Sequence, residues 1–111
     1  MTSSHIFRSI WRLGTVAVAG DSMAPTYNNG DWLVVRWGGT FAVGQILVIE
    51  REDRPGFYLI KRLKVIENGR YWVEGDNKLS STDSRQWGTI SHNEILGRVL
   101  FRYRNARNNS D

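Results

Sequence analysis

The chain has 111 residues with a formal net charge of +4, the size of one domain that buries roughly 65% of its unfolded surface. Its 41% hydrophobic content, five Trp and 23% charged residues exclude a disordered chain. The absence of Cys excludes a disulfide framework, a cysteine nucleophile and thiolate metal sites, and the dispersed basic residues, without a helix-turn-helix, RNP or zinc signature, argue against a nucleic-acid partner.

Residues 1–13 form a short N-terminal segment in which Ile6, Phe7, Ile10, Trp11 and Leu13 recur at helical spacing around Arg8 and Arg12. This predicts a turn or two of amphipathic helix, either capping the core or lying on a membrane surface as a peripheral basic contact. No run approaches the ~18 apolar residues that span a bilayer, and the N-terminus lacks a signal peptide's apolar region. The expected location is the cytoplasm, with peripheral membrane contact as the variant.

From Gly14 to Arg104 the pattern is strand-like. "GTVAVAG", "DWLVVRW", "GQILVIER", "FYLIKRLKVI", "RYWVEG" and "ILGRVLFRYR" are β-branched or aromatic runs separated by "NNG", "GG", "DRPG" and "ENG". Six short strands with tight turns predict a mostly β fold, a coiled, antiparallel, barrel-like domain over 14–104. Residues 105–111 are expected to fray.

In "FYLIKRLKVI", alternation places Phe57, Leu59, Lys61, Leu63 and Val65 on one face, so Lys61 interrupts an apolar row. Such a lysine either extends its head to water or sheds its proton, because burial disfavours the ammonium. A neutral lysine is a usable general base. Lys64 falls on the opposite face and Lys78 in a polar loop. Ser22, in "VAGDSMAPT", sits between a small-residue strand end and Pro25, a perch for an exposed hydroxyl; without a base it is only a turn serine. His5 and His92 are not placed to serve it. The segment "GDNKLSSTDSRQWG" (75–88) is dense in Asp, Asn, Ser and Thr, with Asp83 and Arg85 available for an ion pair.

Together "GDSMAPT", "IKR" and "GDNKLSSTDSRQWG" resemble, in order and character, the serine-lysine peptidases of the signal peptidase I family (S26), and the resemblance extends over residues 15–104. Gly75, Asp76, Asn77, Ser81, Asp83, Ser84, Arg85 and Gly88 fall where that family's last conserved box would place them. The resemblance implies a coiled β fold shared with LexA-like repressors, Ser22 as nucleophile, Lys61 as general base and Ser81 orienting the amine. It further implies that Val18, Ala19, Met23 and Ile60 contact the substrate, and that the strands around 16–19 and 58–60 pair with it. Gly75, Asn77, Asp83 and Arg85 would hold the loop. The Ser22 N–H would contribute to the oxyanion hole, with Gly20 standing where some relatives carry a second, hydroxyl donor. No metal or cofactor is implied.

A compact core expected to carry no anchor, with a short hairpin after Lys61, looks more like the nickel-type superoxide dismutase maturation proteases, to which "LVVRWG", "SSTDSRQWG" and "LGRVLFRY" are also similar; this resemblance implies a precursor with an N-terminal leader as partner. The alternatives are a minimal signal peptidase cutting after small residues and a β domain that grips peptides without cutting them. A LexA-type repressor would need a DNA-binding domain that 14 residues cannot supply.

Overall fold

The computed structural model describes residues 12–106. Six strands, β1 (Leu13–Ala17), β2 (Trp32–Trp37), β3 (Ile46–Glu50), β4 (Tyr58–Glu67), β5 (Arg70–Glu74) and β6 (Ile95–Arg104), carry one short helix, α1 (Ser84–Trp87), and two 3₁₀ turns at Lys78–Ser80 and His92–Glu94. They form one sheet in the order β1-β2-β6-β3-β4-β5, antiparallel throughout. The mostly β expectation therefore holds, but the sheet does not close into a barrel: β1 and β5 remain edges. Register shifts at Trp32/Leu33, Val34/Val35, Val48/Ile49 and Leu63/Val65 bend and twist the strands, so the sheet coils without sealing.

The sequence of β3, "ILVIE", explains its central place. A strand covered on both faces needs a continuous apolar run rather than alternation, and Ile46, Leu47, Val48 and Ile49 are all buried. Ile46 and Val48 join Val18, Met23, Leu33, Val35 and Val99 in one cluster, against which Ile60 packs. Leu47 and Ile49 join Phe41, Leu63, Val73, Ile90 and Ile95 in the other, against which Leu59 and Trp87 pack. The two faces of β4 thus look into different cores.

β4 pairs with β3 through residues 58–62 and with β5 through residues 62–67. Among the described residues, its first residues, Tyr58 to Lys61, therefore have no strand on the edge away from β3, and the same holds for the outer edge of β1. Gly97 lets β6 cross β2 closely, since a Cβ there would meet the Arg36 carbonyl carbon at 3.0 Å.

The N-terminal helix expected at residues 6–13 lies almost wholly outside the described residues, and Leu13 already belongs to β1. The start of the expected frayed tail is tied down instead. The Ala106 N–H donates to Asp31 Oδ1 at 2.8 Å, the Asn28 N–H to Asp31 Oδ2 at 2.8 Å, and Arg102 Nη1 to Asp31 Oδ2 at 3.1 Å. Burial works to raise the pKa of Asp31, but these donors outweigh it and hold the carboxyl below its ordinary value. Residues 107–111 lie outside the described residues. No helix among the described residues is long and apolar enough to cross a membrane.

Candidate active site

Lys61 is where strand alternation put it, on the Leu59 and Leu63 face of β4, and only 2% of it is exposed. Its head is not in solvent. Burial lowers its pKa from the ordinary 10.5, Arg85 acts in the same direction, and the Asp83 carboxylate opposes both without cancelling them. The Nζ lies 2.9 Å from Ser81 Oγ, and Ser81 Oγ lies 2.7 Å from Asp83 Oδ2.

The direction of this chain of bonds follows from the chemistry of its last member. Asp83 is fully buried. That burial works to raise its pKa, yet bonds from Arg85, Ser81 and the Gly75 and Arg85 N–H groups overcome it and hold the carboxyl far below its ordinary 3.8. An ionised carboxylate only accepts hydrogen bonds. Ser81 must therefore donate to Asp83, which turns its lone pairs towards Lys61 and makes the lysine the donor between them. Arg85 closes the other side of the carboxylate, with Nε 2.9 Å from Oδ1.

Local sequence explains why the loop holds this geometry. Asp83 is the N-cap of α1, its side chain accepting the Arg85 N–H while Gln86 reaches back to the Asp83 N–H. This is a capping box, and the spacing Asp83-x-x-Gln86 displays it in the sequence. The same carboxylate thus caps the helix, pairs with Arg85 and aims Ser81.

Ser22 is brought to this cluster through Gly75. The Asn77 N–H donates to the Ser22 carbonyl at 2.9 Å, and Asn77 Nδ2 donates to the Asp21 carbonyl at 3.0 Å. A Cβ on Gly75 would lie 2.6 Å from both the Ser22 carbonyl oxygen and Ser81 Cβ, and would collide with Ser81 Oγ. The Ser22 backbone and the Ser81 side chain therefore converge on one point that only glycine leaves open. The Lys61 amine, however, is hydrogen-bonded to Ser81 and not to Ser22.

Val18, Ala19, Met23 and Ile60, the expected substrate contacts, all line one cleft of about 110 Å³ together with Ser22, Val16, Val48 and Tyr58. Its walls are the unpaired edges of β1 and β4. The Ser22 N–H makes no hydrogen bond among the described residues, whereas the Gly20 N–H donates to Asn29 Oδ1 at 2.9 Å. A second oxyanion donor from Gly20 requires that bond to open.

Two further residues were missed as partners. Asp76 accepts both Arg62 Nε and Arg62 Nη2 at 2.8 Å and the Thr26 hydroxyl at 2.6 Å, and its N–H meets Met23 Sδ at 3.4 Å. This fork-to-fork pair fastens the "GDN" turn to β4 and to the segment after Ser22. Its partners are 14 and 50 residues away, beyond any local spacing rule.

Comparison with known proteins bears on this arrangement. Mitochondrial inner membrane protease subunit 1 of Xenopus tropicalis is 30% identical over 115 residues, covering 81% of this chain and 69% of that protein. Thylakoidal processing peptidase 1 of Arabidopsis thaliana is 34% identical over 79 residues, covering 68% of this chain and 22% of that protein. Signal peptidase IB of Staphylococcus aureus is 49% identical over 39 residues, covering 35% of this chain and 20% of that protein. With a match that runs from residue 5 to residue 100, the chain belongs to the Peptidase S24-like family.

Proposed function

We propose that this chain is a serine endopeptidase that removes a signal or leader peptide from a precursor protein, with Ser22 as nucleophile and Lys61 as general base. The observation that carries the reading is the buried lysine whose amine is held by a serine that a buried carboxylate aims. A structural lysine gains nothing from such a setting, since burial makes its charge costly. A base that must be neutral near pH 7 needs it.

The steps balance as follows. Ser22 Oγ attacks the scissile carbonyl carbon while its proton passes to Lys61 Nζ, and the Ser22 N–H faces the developing oxyanion. The ammonium then protonates the departing amine as the C–N bond breaks, leaving a Ser22 ester. Water, deprotonated by Lys61, hydrolyses that ester, and the proton returns to Ser22. Ser81 keeps the amine in place throughout. The substrate enters as an added strand between the free edges of β1 and β4, and the 110 Å³ cleft, floored by Met23 and Ile60, accommodates a small side chain next to the scissile bond.

The names of the relatives are those of a membrane protease, a processing peptidase and a signal peptidase. They favour signal-peptide removal over maturation of a nickel-type superoxide dismutase, which nothing among these relatives supports. The test incubates the purified protein with an Ala-x-Ala signal-peptide precursor and, separately, with a nickel dismutase precursor, reading cuts by mass spectrometry. The expected result is a single cut after the second Ala of the first precursor, lost in Ser22→Ala and in Lys61→Ala while both variants keep the wild-type circular dichroism. Retained cleavage in either variant overturns the dyad. Tight capture of the precursor with no product would instead support a peptide-binding module.

A further inference from the structure

A second pocket, of about 250 Å³, opens beside the catalytic loop and is lined by Arg51, Arg54, Phe57, Leu59, Thr82 and Trp87. Each arginine sits over an aromatic ring, with Arg51 Cζ 4.2 Å from the Trp87 centroid and Arg54 Cζ 4.7 Å from that of Phe57. A guanidinium held over a ring face by the cation–π attraction still has N–H donors to offer a flat acceptor. Arg51 already pairs with Asp53 at 3.1 Å, and the Glu94 carboxylate is near enough to feel its charge. Arg54 has no carboxylate partner among the described residues, so the pocket presents one unneutralised cation.

The position of this pocket relative to the cleft is set by strand alternation. Leu59 borders both hollows, but the side chains of Phe57 and Leu59 share one face of the chain, with Trp87 packed on the same side as Leu59, while Ile60 faces the opposite core. A substrate strand laid along Tyr58 to Ile60 also alternates. Side chains that enter the small cleft must be separated by one that points to the Arg51 and Arg54 side.

We infer that this pocket is a second specificity subsite, which takes an acidic side chain at the substrate position between the two small residues. The inference rests on the proposed peptidase function, but the pocket is a property of binding and is measurable without turnover. A carboxylate there would meet the Arg54 fork in a charge-assisted pair, whereas a lysine would face it with like charge.

The probe is a set of labelled twelve-residue peptides containing Ala-Glu-Ala, Ala-Gln-Ala or Ala-Lys-Ala before the scissile bond. Cleavage is measured with wild type, Arg54→Ala and the Arg51→Ala/Arg54→Ala pair, and binding by fluorescence anisotropy with Ser22→Ala protein carrying the same arginine changes. Wild type should prefer Glu over Lys by about tenfold in kcat/KM, and the preference should shrink towards unity in Arg54→Ala. The anisotropy series should show the same ranking. Cleavage of all three peptides at equal rates, or a Glu preference that survives loss of both arginines, overturns the subsite and leaves the peptidase standing. Arginine-dependent binding of the Glu peptide without any cleavage by wild type supports the subsite and overturns the peptidase. Neither binding nor cleavage overturns both.

Discussion

Replacing Gly75 by Ala tests whether the convergence of Ser22 and Ser81 is what the site depends on. The added methyl would sit 2.6 Å from the Ser22 carbonyl oxygen and from Ser81 Cβ, where real Cβ contacts do not fall below 3.0 Å and are rarely under 3.4 Å. Relief requires a shift of roughly 0.4–0.8 Å in one neighbour or the other, and overpacking of this kind costs ~1–3 kcal/mol. Neither neighbour is a free side-chain end. The Ser22 carbonyl is backbone held by the Asn77 N–H, and Ser81 is held between Lys61 and Asp83. The displacement therefore falls on the proposed nucleophile, Ser22, or on Ser81, which would orient the proposed base, and a misplacement approaching 1 Å costs ~10²-fold in rate. The assay measures kcat on an Ala-x-Ala precursor beside a thermal melt. The expected outcome is a fall of about 10²-fold in kcat in a protein that is still folded at the assay temperature. A folded Gly75→Ala protein with kcat within threefold of wild type would refute the idea that Ser22 and Ser81 meet at Gly75 in the working enzyme.

Two other outcomes follow from the titration of the site. Because burial lowers the Lys61 pKa below 10.5, kcat/KM should rise with pH through an apparent pKa below that of a free lysine, as the amine becomes neutral. The sign carries over to stability: between the folded value and 10.5 the unfolded chain binds the extra proton, so this group makes the fold more stable as pH rises. A pH profile whose rising limb sits at the free-lysine value would contradict the burial. Asp83→Asn retains a good N-cap, so α1 should persist, but it removes the charge that pairs with Arg85 and the oxygen that accepts from the Gly75 N–H, so the melting temperature should fall. The substitution also removes the charge that raises the Lys61 pKa and the acceptor that orients Ser81, so the rising limb should move to lower pH while kcat falls by roughly 10²-fold. An unchanged profile would show that Asp83 serves the loop alone.

The local pattern of the chain settled a good deal. Alternation in "FYLIKRLKVI" was sufficient to place Lys61 on an apolar face, because side-chain parity is a property of any strand. The six apolar runs and their Gly and Asn punctuation marked all six strands. The Asp83-x-x-Gln86 spacing contains the cap of α1, a signal that the density of Asp, Asn, Ser and Thr around it obscures.

Tertiary structure decided everything that depends on residues far apart in the chain. Parity could not say whether the Lys61 head reached water; in the folded chain it is buried and bonded to Ser81, 20 residues later, which is bonded in turn to Asp83. The open sheet depends on where four bulges fall, and a bulge is a mismatch between two strands that neither encodes alone. Asp31 receives Ala106 and Arg102, 75 and 71 residues away in sequence, and the first of these bonds holds the start of a tail whose polar composition predicts fraying. The convergence of Ser22 with Ser81 at Gly75 is of the same kind: it is a close approach of two segments, and only the folded chain brings them within van der Waals distance of one another.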